Sequence, residues 1–149
     1  MRFFFPHFVG GMAALVFLVL RLVVGAAFFF HGAHKFGQGA FSWMGPDAEM
    51  AGWIQFSVAL VEIAGGIMLG IGLLTPLATV SLGCVMAGAV FMHATNGDAF
   101  VKNIFVNPTG QSYELAAVYL AVCLLFLIAG PGKLSCDYFM FGLKRVDAK

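Results

Sequence analysis

The stretch Leu15–Lys35, LVFLVLRLVVGAAFFFHGAHK, decides the fold. About 20 residues at 1.5 Å rise cross the roughly 30 Å hydrocarbon core of a bilayer, so this run is long enough to span one as a helix. Arg21 interrupts it, and His31, His34 and Lys35 close its far end. Arg21, Phe28 and Lys35 are seven residues apart and share one helical face, with Gly25 and Gly32 beside them. An arginine at bilayer centre costs about 2.5–3.5 kcal/mol on insertion scales. A group elsewhere in the chain must offset that cost.

Composition agrees with a membrane setting. Of 149 residues, 61% are hydrophobic and only 10% charged, too few to coat a soluble core. Nineteen glycines suit helices that approach closely within a bilayer. The net charge of +1 gives no reason to expect a nucleic-acid partner. Cys84, Cys123 and Cys136 lie far apart, with neither a C-x-x-C pair nor zinc spacing. Residues 2–30 are too long an apolar region, and too interrupted by Arg21, to read as a cleaved signal peptide.

Outward from the first run, the chain reads as a single membrane domain, 1–149, an all-α four-helix bundle. Spans are expected at about 11–34, 53–74, 76–95 and 113–129, with an amphipathic tail piece at about 134–143. Trp53 sits at the edge of the second span, as an interfacial anchor would. Thr75-Pro76 leaves a very short second connection, and Gly130-Pro131-Gly132 ends the fourth span. Four spans put both termini on one side. That side carries Arg2, Lys133, Lys144, Arg145 and Lys149, against Lys35 and Lys102 on the other. The excess places both termini in the cytoplasm and the loops at 36–52 and 96–112 outside.

Glu62 is the expected partner for Arg21, because both lie mid-way along neighbouring antiparallel spans. Gln55, Glu62, Gly66 and Gly70 share a face, and Gly66-x-x-x-Gly70 is a small-residue packing motif. Such a pair either locks two helices together or anchors a polar cavity. A second constellation is expected near the outer surface: His31, Lys35, His93 and Glu114, with Phe28 as an apolar wall and Glu49 and Asp98 in the adjoining loops. Imidazoles and carboxylates could hydrogen-bond a quinone or hold a metal, for which His31, His34 and His93 are the available ligands. Bis-histidine haem through His31 and His93 is disfavoured against a quinone. An interfacial belt of wet histidines, with no ligand, is the alternative.

These residues together carry a resemblance. Arg21, Gly25, Phe28, Gly32 and Lys35 resemble the first-helix pattern of the DoxX family of small bacterial membrane proteins. Glu62, Gly65-Gly66, Gly70, Gly72 and Thr75 resemble its second helix. Glu114 and the ending Gly130-Pro131-Gly132, Ser135, Asp137 are similar to its last helix and exit. The resemblance covers about 14–142 and implies a four-helix bundle in the bacterial cytoplasmic (inner) membrane. The family is named for a subunit linked to quinone-dependent oxidation of sulfur compounds, and other members are associated with oxidative or quinone stress. No general catalytic mechanism comes with it. The implied role is therefore a membrane subunit or anchor of a redox system, which need not itself be catalytic, with protein partners or a homo-oligomer in the bilayer. A small-molecule transporter using Arg21 and Glu62, or a purely structural membrane partner, remain open beside it.

Overall fold

A computed structural model describes residues 8–102 and 111–142. Four α-helices follow one another: α1 (Met12–Gly39), α2 (Gly52–Ile71), α3 (Thr75–Thr95) and α4 (Glu114–Ala129), then a π-helical turn at Tyr138–Gly142. Among the described residues the only β pairing is an isolated bridge between Ala99 and Ser112. The chain is all-α. The first three helices are long and apolar enough to cross a membrane, whereas α4 has 16 residues. The expectation for the termini rests largely on Arg2, Lys144, Arg145 and Lys149, which lie outside the described residues.

Glycine sets how closely α1 and α2 pack. A Cβ on Gly25 would lie 2.6 Å from the Gly66 carbonyl oxygen, and one on Gly32 would lie 2.7 Å from that of Ala59. Backbone therefore meets backbone along this seam. Residues ascending α1 meet residues descending α2, so the two helices are antiparallel. The first helix also runs longer than expected, to Gly39 rather than about 34. Its added turn stays against α2 through the Phe36 and Phe56 rings, 5.6 Å apart.

The turn after α2 is built on Gly72, left-handed at φ 68°, whose N–H donates to the Leu69 carbonyl while that of Leu73 donates to Met68. This is a glycine-stopped helix end. Gly65 receives Leu82 where α2 and α3 touch, and Gly83 faces Cys123 and Leu120 where α3 meets α4. Rings close the bundle between α4 and α1: Phe17 lies 5.4 Å from Phe126 and Phe28 lies 5.1 Å from Tyr119. Val24, Phe28, Leu69, Leu82, Met86, Cys123 and Phe126 form the apolar centre. Leu15, Val19, Leu22, Leu60, Ile67, Leu77, Val80 and Phe91 point outward, as side chains facing lipid would.

Candidate functional site

The α1–α2 register places the charges. Gly25 lies against Gly66 and Gly70, and Gly32 against Ala59 and Ile63. Continuing that register sets Arg21 level with Gly72, about 15 Å along the axis from Glu62. Arg21 and Glu62 therefore do not form the expected pair. The expectation matched the middles of two spans. The longer α1 moves its middle by less than one turn; most of the slide of about three turns comes from the register set where Gly25 meets Gly66 and Gly32 meets Ala59.

Arg21 is fully buried at 0% exposure. Its Nη2 donates to the Leu134 carbonyl oxygen, and the Asp137 carboxylate acts on it through space. A side chain on Gly72 would occupy the place of the guanidinium. Asp137 caps α3: its Oδ1 accepts from the Leu74 N–H at 2.7 Å and its Oδ2 from the Thr75 N–H at 2.8 Å. A carboxylate there also meets the positive end of the helix dipole. The cap holds Leu74 in a left-handed conformation, φ 46°. The Asp137 N–H returns a bond to Gly72 O at 2.9 Å, and Ser135 Oγ donates to Gly132 O at 2.6 Å. The charge in α1 thus fastens the exit of α4 to the α2–α3 turn.

Glu62 instead takes Lys35. The Lys35 Nζ donates to Glu62 Oε1 at 2.6 Å and lies 4.4 Å from the centre of the Trp43 ring. Lys35 reaches about one turn down α1 to do so. Glu62 is 2% exposed, and among the described residues its Oε2 has no hydrogen-bond partner. Trp43 and the loop around it are held by Gln55, itself buried. The Gln55 backbone oxygen accepts from Trp43 Nε1, its side-chain oxygen accepts from the Met44 N–H, and its Nε2 donates to Met50 O. Gln55 was legible only as a member of the Glu62 face. Its three bonds to the loop left no mark in the spacing.

Both charged groups line a cavity of about 1020 Å³. The space lies where α2 and α3 part, away from their short turn, beneath the 40–51 loop. Ile54 and Val58 form one wall, Val85, Ala89 and Met92 the other, and Trp43, Met44 and Met50 the roof. His93 and Asp98 lie at its edge, with the His93 Nδ1 2.7 Å from Asp98 Oδ2. The five-residue separation of that pair across the Asn96-Gly97 turn is a local signal that the sequence did carry.

The expected outer cluster is brought together only in part. Lys35 and His93 share the cavity, but His31, Glu114 and Phe28 do not line it. His31 is exposed and sits by Tyr119, ring centres 6.4 Å apart, on the α4 side of α1. Glu114 is exposed at the start of α4, and Phe28 is 1% exposed in the core. The cause is rotational: His31 and Lys35 are one turn apart, yet the former turns toward α4 and the latter toward α2. Among the described residues no three or more His, Cys, Asp or Glu side chains gather as a metal site, so His31, His34 and His93 form no ligand set. Of the expected pair, Glu62 lines this cavity and Arg21 does not.

Comparison with known proteins gives two matches. The family model described as DoxX matches residues 16–95. An uncharacterized protein of Haemophilus influenzae is 32% identical over 122 residues, covering 82% of this chain and 88% of its own length. No solved structure matches.

Proposed function

The chain belongs to the DoxX family of membrane proteins, and from that premise we propose that it serves a quinone-linked or oxidative-stress redox system as a membrane subunit or anchor. In this reading it is a multi-pass protein of the bacterial cytoplasmic membrane with four spans, α4 included, and both termini inside. At 16 residues α4 is about 24 Å long, short of the hydrocarbon core, so flanking residues or local thinning must make up the difference.

One observation carries the redox reading: the cavity of about 1020 Å³ between α2 and α3, apolar along its walls and polar at Lys35, Glu62 and His93. Sites for lipophilic cofactors are mostly apolar clefts of this size with a few placed polar groups. A ring under Trp43 and Met44, with its tail between α2 and α3 toward lipid, suits those walls. Protein purified gently from its own membrane is expected to release a quinone on solvent extraction, detected by mass spectrometry. An empty extract, together with no uptake of added alkyl quinone, would remove the redox reading.

A further inference from the structure

Glu62 Oε2 is one of four buried side-chain atoms without a hydrogen-bond partner among the described residues, with Arg21 Nε and Nη1 and Thr75 Oγ1, and of these three residues only Glu62 lines the cavity. A bare carboxylate oxygen in an apolar setting retains the full cost of its desolvation, so the position demands a donor. The Lys35 ammonium bonds Oε1 and lies over the Trp43 face.

The second polar edge of the cavity has the same polarity. In a neutral imidazole whose Nδ1–H donates to Asp98, the Nε2 is left as an acceptor. Glu62 on α2 and His93 on α3 therefore offer one space two acceptors, beside the Lys35 ammonium and the Asn96 and Gln111 amides that also line it. A quinone carries only carbonyl acceptors and would set lone pairs against the Glu62 carboxylate. Its two-electron reduced form carries two O–H donors on the same lipophilic frame.

Resting on the quinone reading above, we infer that the cavity selects the reduced form, a lipophilic hydroquinone, with one hydroxyl donating to Glu62 Oε2 and the second directed to His93. The discrimination comes from Glu62. A hydrogen bond to a charged acceptor is worth enough to favour the reduced form about tenfold to hundredfold.

The test is equilibrium binding to the full chain in lipid nanodiscs, without oxygen, at about pH 8, where an ordinary imidazole is neutral. The probes are one alkyl benzoquinone and its hydroquinone. Tighter binding of the hydroquinone, with the preference falling toward unity in Glu62→Gln, is the expected result. Since Glu62→Gln leaves Lys35 without its partner, the pair Lys35→Met/Glu62→Gln serves as a second variant and is expected to lose the preference likewise. Equal binding of the two forms by the native protein would overturn the selection while leaving a quinone site in place. A preference unchanged in the folded variants would overturn the role of Glu62. Binding of neither form would overturn the proposed function itself, and the selection with it.

Discussion

Arg21 and Glu62 are both ionisable groups buried in apolar helices, and they belong to opposite kinds of surroundings. Around Arg21 the protein closes in: the Leu134 carbonyl, the Asp137 carboxylate and the bare backbone of Gly72 occupy the space, and the carboxylate itself is spent on the α3 N-terminus. Around Glu62 the helices part and the residue lines a cavity, while one of its carboxylate oxygens is buried without a hydrogen-bond partner among the described residues. A charge inside a membrane span is commonly read as functional. Here the same cue marks a structural clasp at one level and a cavity-lining group about 15 Å away. What separates the two is the volume beside the charge: among the described residues both keep unbonded buried polar atoms, Arg21 at Nε and Nη1 and Glu62 at Oε2, but of the two Glu62 alone lines the cavity.

The largest effect is expected at the closed end. Replacing Arg21 by Met should lower stability by about 3–5 kcal/mol, because it removes the cation opposite Asp137 and the bond to Leu134 while leaving their polar groups buried. Combining it with Glu62→Gln should give losses that add to within about 0.5 kcal/mol, as distant sites do. Unfolding of the single and double variants in detergent measures this. A larger coupling between the two positions would merge the ends that the register keeps apart.

The register was the part of the fold that sequence reasoning could not supply. Helix number, order and apolarity follow from composition and from runs such as Leu15–Lys35, because burial in lipid leaves the backbone few alternatives. The glycines that bring α1 and α2 together were also visible, at Gly25, Gly32, Gly66 and Gly70. Their vertical alignment was not, since several glycines recur along both helices and the sequence does not say which of them meet. A sliding error of three turns then exchanged the partners of Glu62. The candidate site was half legible for a related reason. Lys35 and His93 were identified by charge and depth, but the direction in which His31 turns depends on rotation about α1.

Glycine substitutions sharpen the contrast at the next level of effect. Gly25→Val should cost about 1–3 kcal/mol, since its Cβ would press on the Gly66 carbonyl and on the Gly70 backbone. Gly88→Ala should cost nothing, because a Cβ there meets no atom within 4 Å. The same unfolding measurement reports both. A tolerated Gly25→Val would mean that the two helices are free to move apart, and the argument from register would lose its anchor.

Coupling at the open end should be smaller. Lys35→Met and Glu62→Gln, alone and together, should show an interaction of about 0.5–3 kcal/mol. The Lys35 side chain keeps 19% exposure, so water softens the loss when its partner is removed. An interaction near zero would make the Glu62 carboxylate independent of Lys35.

The smallest effect tests the rotation of α1. His31 and His93 were expected to share a ligand, and His31 instead lies beside Tyr119, exposed and away from the cavity. His31→Ala should change stability by less than about 0.5 kcal/mol, as exposed substitutions do. It should also leave hydroquinone binding unaltered, while His93→Ala weakens it. The two variants delete the same ring from the C-terminal halves of two helices, so hydrophobicity and general membrane partitioning change alike. A difference between them therefore reports which side of α1 faces the ligand. Equal weakening by both would turn His31 back toward α3 and restore the four-residue cluster. Equal indifference would confine the ligand to the Lys35 and Glu62 edge, with the His93–Asp98 bond reduced to a clasp on the end of α3.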